Sequence, residues 1–303
     1  MCYRIAAGAA LAALLLGVCP AAAQPPSIVN TTLTTRAVSS SLERELTAAV
    51  AATTDATWFA WSVASAETGR GPCCWSGRDG EYLRCGCQLE EGRVSNAAAA
   101  SSAGIRTQPI PLEGSQRLVV LARVENKAIQ KFAAYSADCD LDAGGRPVVW
   151  LDGVKPGESV AYLAKAAHDS APGSTGRPGR SVDVLLLALS MHADAGALPA
   201  LIQLAKAAPV AHVRAQSLFW LAQRAGAKVV STITGAIDND PDTEVKVRAV
   251  FALSQLPKDE GVPLLIGLAR TNKNAQVRKQ AMFWLGQSKD PRALAFFEEV
   301  LLK

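Results

Sequence analysis

The densest chemistry in the chain lies between residues 73 and 87, where the pair Cys73-Cys74 is followed ten residues later by Cys85-x-Cys87. A further cysteine stands at Cys139. Thiols in such a cluster serve as disulfides, metal ligands or redox centres, and each use has its own spacing. A tetrahedral zinc site favours CxxC, which lets two thiolates reach one ion, and CC and CxC match that poorly. A thiol–disulfide oxidoreductase wants CxxC at a helix N-terminus, and no CxxC occurs. Outside the cytoplasm the spacing suits structural disulfides better than either of those uses. A bond between the neighbours Cys73 and Cys74 is strained, so each is expected to reach toward the Cys85/Cys87 pair, with Cys139 the odd one. Such bridges staple a polar, glycine-rich stretch, Pro72–Gly92, and each contributes roughly 2–3 kcal/mol. Spacing leaves the pairing open.

A second set of residues suits recognition. Gln216, Trp220 and Gln223 stand at i, i+4 and i+7, on one side of any helix that contains them. The set returns 32 residues later as Arg248, Ala252, Gln255, and again as Gln280, Trp284, Gln287. Amides offer donor and acceptor together, and an indole offers apolar area with a donor, the mixture found where proteins bind partners. The alternative is packing of the indoles between neighbouring repeats. Arg214, Lys246 and Arg278 recur at the same period and are expected to contact the preceding loops. The three histidines, His168, His192 and His212, are read as surface or boundary residues. No G-x-S-x-G, Walker loop, H-E-x-x-H or G-x-G-x-x-G is present. A catalytic site assembled from dispersed carboxylates is the one enzymatic reading left.

The elements that position these residues are repeats. VRAQSLFWLAQ (213–223), VKVRAVFALSQ (245–255) and VRKQAMFWLGQ (277–287) share one pattern, and SVDVLLLALSM (181–191) is a degenerate copy. Each is followed by a second apolar segment: 198–205, 230–237, 262–269 and 294–301. Two helical segments per fixed period predict a superhelical solenoid of about four helix pairs. Within the second unit Val213, Leu218, Leu221 and Ala225 mark the core face. Asp240-Pro241-Asp242 and Asp290-Pro291 are helix caps, and Glu298 and Glu299 suggest a polar end to the array.

The first half differs. Residues 1–23 read as a cleaved export signal: Arg4, an apolar run Ile5–Val18, and Ala21-Ala22-Ala23 before Gln24. The run is too short for a comfortable span, no later stretch approaches transmembrane length, and Val18 before Cys19 fits a lipidation site badly. A periplasmic or secreted location follows, one in which disulfides persist. Residues 24–169 suggest a small α+β domain. It has an extended lead-in at 24–40, a helix at 41–51, a buried strand at 58–63 and a hairpin of 116–124 with 128–136. A strand at 147–151 and a helix at 158–168 complete it. Asn96–Gly104 reads as a surface loop, Ser170–Arg180 as a Pro/Gly/Ser linker, and 181–303 as the solenoid. The net charge of +4 divides unevenly, with 16 basic against 11 acidic residues over 176–303. The signs alternate, so no basic stripe for nucleic acid forms.

The repeats resemble the HEAT family, in the short form called PBS-lyase HEAT-like repeats. The likeness rests on D-P-x-x-x-V-[RK] at Asp240–Lys246 and V-P-x-L-I-x-L-A at Val262–Ala269. It covers about residues 178–303, and it implies a curved stack with a concave protein-binding face. Deoxyhypusine-hydroxylase-like members carry paired His-Glu motifs for a di-iron centre, and none of the three histidines here precedes a Glu. Nothing in the sequence supports a bilin-lyase activity. The expectation is a non-catalytic adaptor or scaffold without cofactor or metal. Its partner is a protein or peptide, held by Gln216, Trp220, Gln223, Arg248, Gln255, Gln280, Trp284 and Gln287. The alternative is a ligand- or redox-sensing envelope protein with the cysteine loop as sensor.

Overall fold

The computed structural model describes residues 25–66, 75–78, 81–84, 87–90, 116–170 and 180–302. The export signal, Cys73, Cys74, Cys85, the loop 96–104 and residues 171–179 of the linker lie outside them. A sheet-containing N-terminal part is followed by a helix-rich C-terminal region.

The sheet has five strands in the order β2 (Leu33–Ala37), β10 (Val148–Asp152), β3 (Thr57–Ala64), β7 (Arg117–Glu125), β8 (Ala128–Ser136). The first three run parallel, and β3, β7 and β8 are antiparallel. β3 and β7 are apolar almost throughout because the sheet is covered on both faces. Phe59, Trp61 and Val63 of β3, with Leu118, Val120 and Ala122 of β7, join the larger core, while Trp58, Ala60, Val119 and Leu121 enter a smaller one on the other side. The smaller core is closed by Cys87, Leu89, Cys139 and Leu141, from the region of β6 (Cys87–Gln88) and β9 (Leu141–Asp142). There β1 (Ile28–Val29) and β6 flank β9 in parallel. A two-residue turn joins β7 to β8, with Asn126 at φ 53° and Lys127 at φ 58°, the backbone a tight hairpin requires. A short antiparallel pair, β4 (Trp75–Arg78) and β5 (Glu81–Arg84), completes the strands among the described residues.

The lead-in at 24–40 is more than an extended approach, since it contributes β1 and β2. The sequence hides β2 because it is an edge strand, exposed at all five positions, and an edge needs no apolar alternation.

On the larger core's side lie α1 (Leu42–Ala52), α2 (Pro156–His168) and α3 (Arg180–Met191), each packed on strands of the sheet. Ser41 caps α1, accepting from the Arg44 N–H at 3.4 Å. The Glu158 carboxylate of α2 accepts from the Leu42 N–H at 3.1 Å. The buried Trp61 indole donates to the Ser159 hydroxyl at 3.0 Å, which binds the sheet to α2.

Seven helices follow: α4 (Ala197–Ala207), α5 (Ala211–Ala225), α6 (Val230–Asn239), α7 (Thr243–Ser254), α8 (Lys258–Thr271), α9 (Ala275–Ser288) and α10 (Pro291–Leu301). Helices one period apart pack together, α3 on α5, α5 on α7 and α7 on α9, while α4, α6 and α8 each pack on the helix that follows. Asp242, Asn274 and Asp290 cap α7, α9 and α10, each accepting from the N–H two residues on. Val213, Leu218 and Leu221 are buried, and so are Val245, Leu253, Val277 and Leu285 in the same register. The larger core therefore runs without a break from Leu42 to Phe296. The composition changes near residue 170, but the packing does not divide there.

His192 sits at this junction, the boundary placement of the two expected for the histidines, and is buried there. It is 1% exposed and bridges Ser65, just after β3. Nδ1 accepts from the Asp194 N–H at 3.2 Å, so the neutral ring carries its proton on Nε2, which is buried without a partner. Burial lowers its pKa, against a smaller opposing pull from Asp194. A base whose folded pKa lies below its unfolded value stabilises the fold fully above that unfolded value, about 6.5. The contribution is lost as the pH falls through the lower folded pKa. Melting temperature should therefore decline on acidification from pH 7 to 5, and His192→Gln should flatten that part of the profile; an unchanged slope in the variant would assign it to other groups.

Candidate partner-binding surface

The periodic cations show how the repeats are tied. Arg214 on α5 donates through Nη1 to the carbonyls of Ala208 (2.9 Å) and Pro209 (3.2 Å) in the loop before its helix. Arg278 does the same to Asn272 (2.7 Å) and Lys273 (3.1 Å), and Lys246 reaches Asp238 O at 3.0 Å. Arg214 also forms a two-point pair with Asp240, Nε to Oδ2 at 2.7 Å and Nη2 to Oδ1 at 3.0 Å. Burial alone would raise the Asp240 carboxyl. Hydrogen bonds from Arg214 and the Asp242 N–H, with the guanidinium charge, carry it below the usual carboxylate range instead. Sequence reading marks Asp240 as a turn residue, and its pairing with an arginine 26 positions upstream has no local signal. A cleft of about 430 Å³ opens beside the pair, lined mostly by small residues of α4 and α6.

The expected recognition stripe divides into packed and free members. Gln216 is half-buried and donates to Asp183 Oδ1 at 3.1 Å, the oxygen that also meets His212 Nε2 at 3.0 Å. Trp220 packs edge-on against Phe219, centroids 5.0 Å apart. Trp284 lies 4.8 Å from Phe251 of the preceding first helix, and Phe251 stacks on Phe219 at 5.7 Å and 5°. Ala252, which occupies the tryptophan position in α7, is fully buried. That position therefore turns inward, and the indole of Trp284 takes up the packing role between repeats. Its Nε1 is buried without an acceptor.

The outward line consists of Gln223, Arg248, Gln255 and Gln287, all exposed. Gln223 donates to Gln255 Oε1 at 3.5 Å, a contact 32 residues apart, and Gln255 donates to Ser254 Oγ at 3.1 Å. Arg248 makes no ion pair among the described residues. Gln255 and Gln287 border a cleft of about 180 Å³ floored by Leu265 and Trp284. Gln280, half-buried on α9, is the remaining member. The structure thus brings Gln255, Trp284 and Gln287 together and sets Gln216 apart, against α3.

Two polar features escaped the sequence. Glu90 accepts from the Trp58 indole at 2.9 Å and from Arg123 Nε at 2.8 Å, and Lys131 donates to Leu89 O at 2.5 Å. These bonds pin the segment after β6 to the sheet and leave Glu90 saturated. Cys139 is disulfide-bonded, as is Cys87, so Cys139 is not the leftover thiol the spacing suggests. Both are buried in the smaller core, where β9 brings residues near 139 beside β6. Among the described residues no three His, Cys, Asp or Glu converge as a metal site, and no helix is long and apolar enough to cross a membrane.

Replacing Arg214 by Met should cost roughly 3 kcal/mol, because it strands the Asp240 carboxylate in a buried position. Urea unfolding of the variant measures it, and a loss below about 1 kcal/mol would match an exposed pair instead.

No curated protein matches the chain. Among solved structures, human deoxyhypusine hydroxylase in complex with glycerol is 19% identical, at TM-score 0.34 over 43% of this chain and 43% of its own. The chain thus spans less than half the length of that enzyme. The CpcE–CpcF complex of phycocyanin lyase from Nostoc sp. PCC7120 is 16% identical, at TM-score 0.37 over 48% and 89% of the two chains. The Escherichia coli protein YibA is 23% identical, at TM-score 0.33 over 48% and 54%. At these levels the likenesses assign neither activity nor partner. Residues 230–303, from α6 onward, match the family model described as HEAT repeats.

Proposed function

We propose that the chain is a non-catalytic, exported adaptor or scaffold. In this reading the four helix pairs form a superhelical solenoid whose concave face holds a protein or peptide. Residues 230–303 carry HEAT repeats, units that present extended surfaces to partners. The observation that carries the assignment is the split within each repeat. Arg214, Lys246 and Arg278 are consumed by backbone carbonyls at or before the start of their helices, while Gln255 and Gln287, 32 residues apart, and Arg248, two turns before Gln255, are exposed. Exposed polar groups over an apolar floor, Arg248 among them without an ion pair, suit the backbone and carboxylates of a polypeptide. Trp220 and Trp284 supply that floor.

The sensing alternative needs an accessible disulfide that cycles readily. Cys87 and Cys139 are 0% and 2% exposed, which favours staples. Free-thiol counts on the native chain should therefore stay constant in mild reductant and rise only on unfolding. A rise without unfolding would restore the sensor.

Affinity capture from an envelope extract of the source organism, read by mass spectrometry, tests the surface. Arg248→Glu combined with Gln287→Ala should reduce recovery of the captured partner about tenfold with melting unchanged. Equal recovery would remove this face from the function.

A further inference from the structure

Six of the eight large hydrophobic residues exposed among the described residues lie on one helix pair: Met282 and Phe283 on α9, Leu294, Val300 and Leu301 on α10, and Leu302 just beyond. Their register shows what surface this is. Val262, Leu265 and Ala269 on α8 are 3%, 1% and 4% exposed, covered where α8 packs on α9. One period later the same positions are Leu294, at 61%, the half-buried Phe297, and Leu301, at 81%. The first helices agree. Phe219 is covered by Phe251 and Phe251 by Trp284 of the next unit, whereas Phe283 is 52% exposed. Of the two glutamates on α10, Glu298 is exposed. Glu299 turns aside to pair with Arg270, and the outer face of α10 keeps the apolar residues of an inner repeat.

We propose that a second copy of this chain covers this face, α9 and α10 of one protomer against α9 and α10 of the other across a two-fold axis. The face continues the helix-to-helix interface already made at α4–α5, α6–α7 and α8–α9, so its natural cover is another helix pair of the same chemistry. The other end of the array is sealed by the sheet, through α3 on β7 and β8. Head-to-tail stacking of identical chains is therefore blocked, and the like-to-like contact is the one that closes. A standard interface engages about 20–30 residues a side. This patch is smaller, so the dimer dissociates at accessible concentrations and its mass depends on dilution.

Sedimentation velocity of the purified chain, from low micromolar to several hundred micromolar, tests the proposal. A monomer–dimer equilibrium is expected. Leu294→Glu with Leu301→Glu should weaken it about tenfold or more while circular-dichroism melting stays unchanged, since both side chains are exposed in the monomer. Arg248→Glu, on the outward polar line, should leave it unaltered. A monomer throughout the range, an equally strong dimer in the double variant, or open-ended growth with concentration would each overturn it. None of these outcomes bears on the partner-binding reading, which rests on other residues.

Discussion

Each helix pair has one apolar stripe and no means of burying it alone, so every unit depends on the next for its core. In this chain that dependence extends past the repeats. The larger core begins at Leu42 on α1, passes through the sheet by way of Phe59, Trp61 and Val120, and continues along Leu189, Leu221, Leu253 and Leu285 to Phe296. The sheet acts as the first neighbour of the array, and α2 and α3 are the joint. Polar ties reinforce the packing between elements at Trp61–Ser159 and Arg214–Asp240, and within the turn after α3 at His192–Asp194.

Packing constrains which side chains are left for recognition. Positions that repeat every 32 residues are copied first for architecture, and most of them are consumed by it. The arginines and lysine at the helix starts bind backbone carbonyls, Phe219 stacks on Phe251, and Trp284 wedges against the preceding unit. What remains on the amide side is a short polar line with an aromatic floor. The large, half-buried aromatic residues hold the surface in shape, and the small set of exposed amides with Arg248 supplies hydrogen-bonding capacity. Rigid support beneath a few adaptable polar groups limits the entropy lost on binding.

The helical region was legible because its signals are local and repeated: the 3.6-residue stripe, the Asp and Asn caps, and the fixed period all point one way. The buried strand β3 and the β7–β8 hairpin were legible for the same reason. What escaped depends on contacts distant in sequence. β2 is a strand only because β10 lies beside it, 115 residues away at the register Leu33–Val148. His192 is buried by the sheet rather than by its own helix, and Asp240 is paired by an arginine in the previous unit. Cys139 reads as spare because the cluster near 73–87 looks self-sufficient, yet β9 carries it into the same core as Cys87. On the candidate surface, the stripe rule placed all nine positions on one side. Packing of the indoles between repeats was the alternative the sequence left open, and the buried Ala252 with the Trp284–Phe251 contact favours it, which separates packing indoles from exposed amides.

Native-state hydrogen exchange, read amide by amide along β3, β7, α3, α5 and α7, tests the continuous core most directly. If the sheet and the helices share one core, the slowest amides of all five elements open in a single global unfolding, with the same free energy and the same denaturant dependence. Sheet amides that open with a free energy and slope of their own, while α5 and α7 stay closed, would show two independent units and contradict the account.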